Sequence, residues 1–135
     1  SQGTPENMQK KPKYKNELLD IYDFFEKKLK FIRTKGIKHN NILIDPGIGF
    51  AKESEHNWQI LKNIERFQML GYPLLVGVSR KRFLGELVNA NEPDKREAAT
   101  IALTAELARV KVWAVRTHAV KAHQDAISVI ERLRK

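Results

Sequence analysis

The sequence contains no cysteine, which excludes disulfides and thiolate metal sites and suits a reducing compartment; the expected location is cytoplasmic. Long apolar runs are missing as well. No stretch approaches the roughly 18 consecutive apolar residues of a membrane-spanning helix, and Ser1 to Asn16 are polar, without the apolar centre of a secretory signal. Acidic side chains are in deficit: 16 Asp and Glu stand against 25 Lys and Arg, a formal net charge of +9. That balance suits an anionic partner, whether nucleic acid, an acidic surface or a phosphorylated small molecule, or is simply a solvated basic surface. At 135 residues the chain can bury a real core but holds one domain at most, residues 1–135.

Glycine is sparse too, yet Gly47 and Gly49 fall together in Asn41-Ile-Leu-Ile-Asp-Pro-Gly-Ile-Gly-Phe-Ala-Lys52. The apolar run Ile42-Leu43-Ile44 is cut off by Asp45 and then by Pro46 and the two glycines. A compact apolar run ending in turn residues reads as a buried strand entering a loop. An α/β protein carries its binding groups at that end of a strand. Glycine there lets backbone approach a ligand closely.

The remaining periodicity is mostly helical. Leu18, Ile21, Tyr22, Phe25, Leu29 and Ile32 mark one amphipathic helix ending near Gly36. Trp58, Ile60, Leu61, Ile64, Phe67 and Leu70 mark a second, from Asn57 to Leu70. Pro73 to Val78 reads as a buried strand, followed by a short helical stretch from Phe83 to Val88 and a polar break. A third helix is expected from about Lys95 to Val110, with Ala98, Ile101, Ala102, Ala105 and Ala108 as its buried face. Trp113 to Val115 gives a third strand, and Val120 to Leu133 a last helix with Ala126, Ile127, Ile130 and Leu133 inward. Strands separated by such helices imply an α/β fold with parallel crossovers. Three strands cannot close an eight-stranded barrel, which needs about 200 residues or more.

Each strand stops in polar residues: Asp45; then Ser79, Arg80 and Lys81; then Arg116 and His118. Each cluster has a plain structural alternative. Asp45 could form a turn or cap a helix, Ser-Arg-Lys could open a helix, and Arg-x-His could be an ion pair beside a satisfied histidine. Parallel strands put all three ends on one edge, where structural roles have no reason to coincide. A carboxylate can accept N–H donors from an amino-pyrimidine edge. A lysine can donate to a ring carbonyl or nitrogen, and an arginine fork with an imidazole fits phosphate oxygens.

The same clusters resemble dihydropteroate synthase, a family of folate biosynthesis. Asp45 to Lys52 is similar to its pterin-binding loop, Ser79-Arg80-Lys81 to its Ser-Arg-Lys signature, and Arg116-Thr117-His118 to its Arg-x-His signature. Gln2 to Gln9 resembles the segment after the fifth barrel strand. The resemblance implies the carboxyl-terminal portion, about three strands and four helices, of a TIM-type (β/α)8 barrel. It implies condensation of 6-hydroxymethyl-7,8-dihydropterin diphosphate with p-aminobenzoate, giving 7,8-dihydropteroate and pyrophosphate with help from magnesium. By that resemblance Asp45, Lys81 and Gly49 bind the pterin, with Asp45 and Lys81 the catalytic pair. Phe50 and Arg82 meet p-aminobenzoate; Arg116 and His118 hold the diphosphate. No metal ligand is expected in this chain; the magnesium ligand would lie on a missing amino-terminal half. That half, or a second chain in a homodimer, would complete the barrel, and this chain alone would be inactive. Ile42, Ile44, Leu74, Val76, Val78, Ala114 and Val115 are the expected lumen residues. Three departures from the family stand out: Arg82 stands where serine is common, Ala119 where Asp or Asn is frequent, and Lys111 or its neighbours where a glycine often precedes the last strand.

Two other classes stay open at this level. A pterin-binding barrel that moves methyl groups from a folate to a corrinoid shares the acid but has no use for a diphosphate grip. A non-catalytic basic fragment would use the +9 charge on nucleic acid, with binding that weakens steeply with salt. No nucleic-acid or membrane partner is expected, because the aromatics fall mainly on helix core faces.

Overall fold

The computed structural model describes residues 17–50 and 52–135; the Gln2 to Gln9 run lies outside the described residues. Helix α1 (Glu17–Thr34) forms where the 3-4 spacing predicts it. Ile21, Phe25 and Leu29 are buried, with Leu18, Tyr22 and Ile32 packed beside them. Thr34 caps its end by donating its hydroxyl to the Phe31 carbonyl at 2.7 Å. A short 3-10 turn (His39–Asn41) leads into the extended segment around Ile44.

The expected single helix from Asn57 to Leu70 is two helices, α2 (Ser54–Lys62) and α3 (Ile64–Gln68). Asn63 interrupts them at φ −116° and ψ 25°, and its side-chain amide donates to the Gln59 carbonyl at 2.9 Å. Such a local side-chain bond offers the backbone an alternative to the helix ladder. Apolar spacing continues across the break, so Ile60, Ile64 and Phe67 share one core.

Strand β1 (Leu75–Val76) pairs in parallel with β2 (Ala114–Val115), and Ile44 forms a parallel bridge to Leu74. The Ile44 amide donates to the Pro73 carbonyl and the Leu75 amide to the Ile44 carbonyl, both at 2.9 Å. The Ala114 and Arg116 amides donate to the Leu74 and Val76 carbonyls at 3.1 and 3.0 Å. The sheet order therefore follows the chain, with the β1 segment in the middle.

Side-chain alternation overturns the expected lumen set except for Ala114, which alternates onto the same face as Arg116. Ile42, Ile44, Leu74, Val76 and Val78 are buried in the cluster that holds Ile21, Phe25, Ile60, Ile64 and Phe67 of the helices. They face the helix layer, because that is where apolar area is removed from water. Leu43 and Asp45, between them in the chain, are exposed on the other face.

After β1 come α4 (Arg82–Val88), a 3-10 turn (Pro93–Arg96) and α5 (Glu97–Arg109), then β2 and α6 (Val120–Leu133). The buried face of α5 is not the expected alanine face. Thr100, Thr104 and Leu107 are buried, whereas Ala98 and Ala102 are exposed. On α6 the buried residue is His123, and Leu133, expected inward, is 78% exposed. Polar atoms can occupy this helix pair because they bond one another: the Thr104 hydroxyl and His123 Nδ1 lie 2.7 Å apart. No helix among the described residues is long and apolar enough to cross a membrane.

The centre of the core is Phe67, 1% exposed, edge-on to Phe25 with centroids 6.1 Å apart and tilted against Tyr22 at 6.5 Å. Phe67→Ala is expected to cost about 3–5 kcal/mol of stability, read from the urea midpoint. A midpoint within error of the parent would show that α1 and α3 are not joined through this ring.

Candidate functional site

Sheet register brings the three polar clusters together. Residues paired across a parallel ladder project to the same side. The ladder continues from Val76–Val115 to Gly77 and Arg116, and the Arg116 guanidinium lies over Gly77, where an added Cβ would meet its Nη2 at 3.0 Å. Two residues further on, Ser79 and His118 meet: Oγ lies 2.7 Å from Nδ1, and the His118 amide donates to Oγ at 3.2 Å. Arg116 has no carboxylate partner among the described residues, so the ion-pair alternative for Arg-x-His is not realised.

Asp45 closes its own turn, accepting the Gly47 amide at 2.8 Å on Oδ1. The turn-forming role is real and uses one oxygen only. The other accepts no hydrogen bond from the described residues.

The loop that follows is fixed by side chains from elsewhere. Asn57, buried on α2, accepts the Gly49 amide at 2.6 Å and donates to the Glu53 carbonyl at 2.9 Å. Lys81 crosses the loop, donates to the Ile48 carbonyl and sets its ammonium 3.9 Å from the Phe50 ring centroid. Gly49 has φ +76°, and a Cβ there would lie 2.5 Å from Lys81 Cδ. Glycine is required at 49 for both reasons, backbone hand and lysine passage.

Lys52 was not singled out from sequence, although it ends the family-like run. Its stem and ammonium are buried, and Nζ donates to the Gly47 and Phe50 carbonyls at 2.9 and 3.0 Å. Burial lowers its pKa to about 8, with Asp45 opposing and Lys81 adding to the shift. Burial likewise lowers Lys81 to about 8, assisted by Arg116 and opposed by Asp45. One carboxylate thus stands among Lys52, Lys81 and Arg116. The cluster is short of negative charge, which is what an anionic ligand supplies.

Beside this cluster lies a cavity of about 250 Å³ lined by Gly49, Lys52, Asn57, Lys81, Arg82 and Phe83 among others. Arg82 is at its rim, largely exposed, 3.2 Å from Glu86, which also accepts the Ser54 hydroxyl. Phe50 is partly exposed at 37%. Apart from Arg82 and Phe50, whose side chains are at the rim or beneath Lys81, the sequence-predicted residues converge on one sheet face. Among the described residues no group of three or more His, Cys, Asp or Glu is placed to hold a metal ion.

Arg80 turns away from the cluster. It has φ +59°, donates its amide to Thr100 Oγ1 at 3.2 Å, and its carbonyl accepts Arg96 Nη1 at 2.9 Å. Its side chain pairs with Asp94 and Glu97, and the Glu97 bond raises its pKa further. Sequence reading missed Arg96, Thr100 and Glu97; a threonine and glutamate on an otherwise apolar helix face was the available signal.

Known proteins are similar in sequence and fold. The sequence model described as pterin binding enzyme matches residues 1–118. Dihydropteroate synthase of Streptococcus pyogenes serotype M6 is 40% identical over 121 residues, 89% of this chain and 46% of that protein. The structure of dihydropteroate synthase from Stenotrophomonas maltophilia with active site-bound imidazole superposes with a TM-score of 0.95 at 37% identity, covering 98% of this chain and 50% of the other. That from Xanthomonas albilineans in complex with 7,8-dihydropteroate gives 0.88 at 33% identity, covering 91% and 47%. The chain spans about half the length of the relatives it matches. With the family pattern running through nearly all of the chain and its three polar clusters meeting on one sheet face, this protein belongs to the pterin binding enzyme family.

Proposed function

We propose that this chain carries the pterin and diphosphate side of a dihydropteroate synthase site, as the carboxyl-terminal portion of a (β/α)8 barrel. The observation that carries the reading is the single carboxylate of Asp45 among the cations Lys52, Lys81 and Arg116. Asp45 accepts N–H groups of the amino-pyrimidine edge on its open oxygen. Lys81, already beside Gly49 and Phe50, donates to the ring carbonyl and neighbouring nitrogen. Arg116, with Nε2 of His118, holds the diphosphate; methyl transfer would leave both without a task. Phe50 and Arg82 meet the p-aminobenzoate ring and carboxylate at the cavity. Magnesium, where used, would take its ligand from the amino-terminal half of the barrel, since no group of acidic or histidine side chains among the described residues is placed to hold it. The partner is the rest of the barrel, on the same polypeptide or on a second copy in a homodimer.

In the reaction the arylamine nitrogen attacks the pterin methylene, the C–O bond to the diphosphate breaks, and the amine loses a proton to solvent. Arg116 and His118 offset the charge that collects on the leaving diphosphate, and the site's work is orientation and electrostatic stabilisation. Three expectations follow, all for the complete protein. Asp45→Ala and Lys81→Ala each weaken pterin diphosphate binding by about 1–3 kcal/mol by calorimetry; unchanged affinity in both refutes the assignment. Arg116→Ala hurts the diphosphate ligand much more than the unphosphorylated pterin; equal losses rule out the diphosphate role.

The third concerns pH. Free Lys52 and Lys81 lose their protons near pH 8, and only their charged forms add positive charge to the site that receives the anionic ligand. Affinity is therefore full below pH 8 and falls above it, by roughly tenfold per unit for one linked lysine until the bound-state pKa is reached. The empty fold trends oppositely: with the folded-state lysine pKa below its unfolded value, stability rises with pH above 8. Calorimetry in two buffers of different ionisation enthalpy measures the proton uptake, and a flat affinity from pH 7 to 9.5 would overturn it.

A further inference from the structure

Outside the Asp45, Lys52, Lys81 and Arg116 cluster, the interface of α5 and α6 contains a buried imidazole with nothing apparent to do. His123 is 1% exposed, and both ring nitrogens are engaged. Nδ1 lies 2.7 Å from the Thr104 hydroxyl and Nε2 lies 2.8 Å from Glu97 Oε1. The second oxygen of the same carboxylate accepts Arg80 Nε at 2.7 Å. Glu97, Thr100 and Thr104 follow one stripe of α5, at steps of three and four residues. Thr100 is fully buried and accepts the Arg80 amide.

The carboxylate fixes the direction of the contacts that end on it. Burial opposes ionisation of Glu97, but the bonds from Arg80 and His123 outweigh it and keep the carboxylate charged. A charged carboxylate only accepts, so Nε2 of His123 carries a hydrogen and donates to Glu97. Glu97 is thereby held between His123 and Arg80, one oxygen each. Arg80 itself has a left-handed backbone, φ +59°, which a non-glycine residue keeps only when surrounding contacts enforce it. Those contacts are Thr100 on its amide, Arg96 on its carbonyl, and Glu97 with Asp94 on its side chain. Ser79 and Lys81 flank it, so the backbone hand at Arg80 sets where both side chains leave the chain.

We propose that His123 is a positioning residue: through Glu97 it locks the Arg80 turn, and the turn delivers Ser79 to His118 and Lys81 to the Gly49 loop. This rests on the reading of Lys81 and His118 as ligand groups. For packing alone, an apolar pair between α5 and α6 would serve as well; the Thr104–His123–Glu97 series gives the site a rigid support from a second layer of helix.

The test uses the complete protein with His123→Leu, His123→Gln and Glu97→Gln. His123→Leu and Glu97→Gln are each expected to weaken pterin diphosphate binding roughly 3- to 30-fold. His123→Gln, which keeps a donor toward Glu97, restores affinity to within about twofold of the parent. Adding His123→Leu to Glu97→Gln causes no further loss of affinity, because the link is already cut. Backbone amide shifts of Ser79 to Lys81, recorded without ligand, move in His123→Leu and return in His123→Gln. A lowered melting temperature with unchanged affinity and unchanged shifts makes His123 a packing residue and overturns the proposal. Should His123→Leu fail to fold, Glu97→Gln decides alone, with unmoved affinity and shifts as the refuting result. A parent protein that binds no pterin diphosphate defeats the functional reading, while the ligand-free shifts still decide the positioning role.

Discussion

Parallel pairing of three short extended segments is the constraint on which the rest depends. A parallel ladder fixes both which residues are neighbours and which face they share. With Ile44 against Leu74 and Leu75–Val76 against Ala114–Val115, one face receives Ile42, Ile44, Leu74, Val76 and Val78 and meets the helices. The other receives Asp45, Gly77, Arg116 and, beyond the ladder, Ser79 and His118. A slip by one residue would bury the charges and expose the aliphatic side chains. The hydrophobic core and the candidate site are thus two consequences of one register.

The loop after Asp45 shows how a cationic site keeps its shape without a ligand. The Lys81 ammonium is brought close to that of Lys52 and to the guanidinium of Arg116, which is unfavourable. Backbone carbonyls of Gly47, Ile48 and Phe50 accept the protons of both lysines in place of water. The loop and the lysines therefore hold one another, and Gly49 is the point of closest approach. Lysine, with three donors on a single tetrahedral centre, can satisfy two carbonyls and keep a proton for a ligand. The resulting cluster carries an excess of positive charge beside a single carboxylate.

Helix α5 illustrates why helical faces are harder to read than strand runs. Alanine and isoleucine were the obvious candidates for burial at 98, 101, 102, 105 and 108. The helix is instead rotated so that Thr100, Thr104 and Leu107 face inward, since His123, Arg80 and Arg96 satisfy the threonine and glutamate oxygens there. Alanine loses little by being exposed, whereas a buried hydroxyl with a partner costs little to keep. Polar residues far apart in sequence decided the face; the threonines and glutamate of the helix are visible locally, but their partners are not. The same applies to Asn63, whose side chain divides one long apolar period into α2 and α3.

Local pattern alone determined the order of helices and extended segments, the span of α6, the core face of α1 and the three polar clusters at the strand ends. These depend on apolar periodicity, on glycine and proline punctuation, and on the chemistry of single side chains, all properties of neighbours in the chain. Tertiary structure decided the sheet face on which Ile42, Ile44, Leu74, Val76 and Val78 lie, the rotation of α5, and the roles of Lys52, Asn57, Arg96 and Glu97. It also decided that Ser79 meets His118 across 39 positions and that Lys81 crosses Gly49. Those are contacts between residues distant in the chain, and their geometry exists only once parallel pairing has set the register.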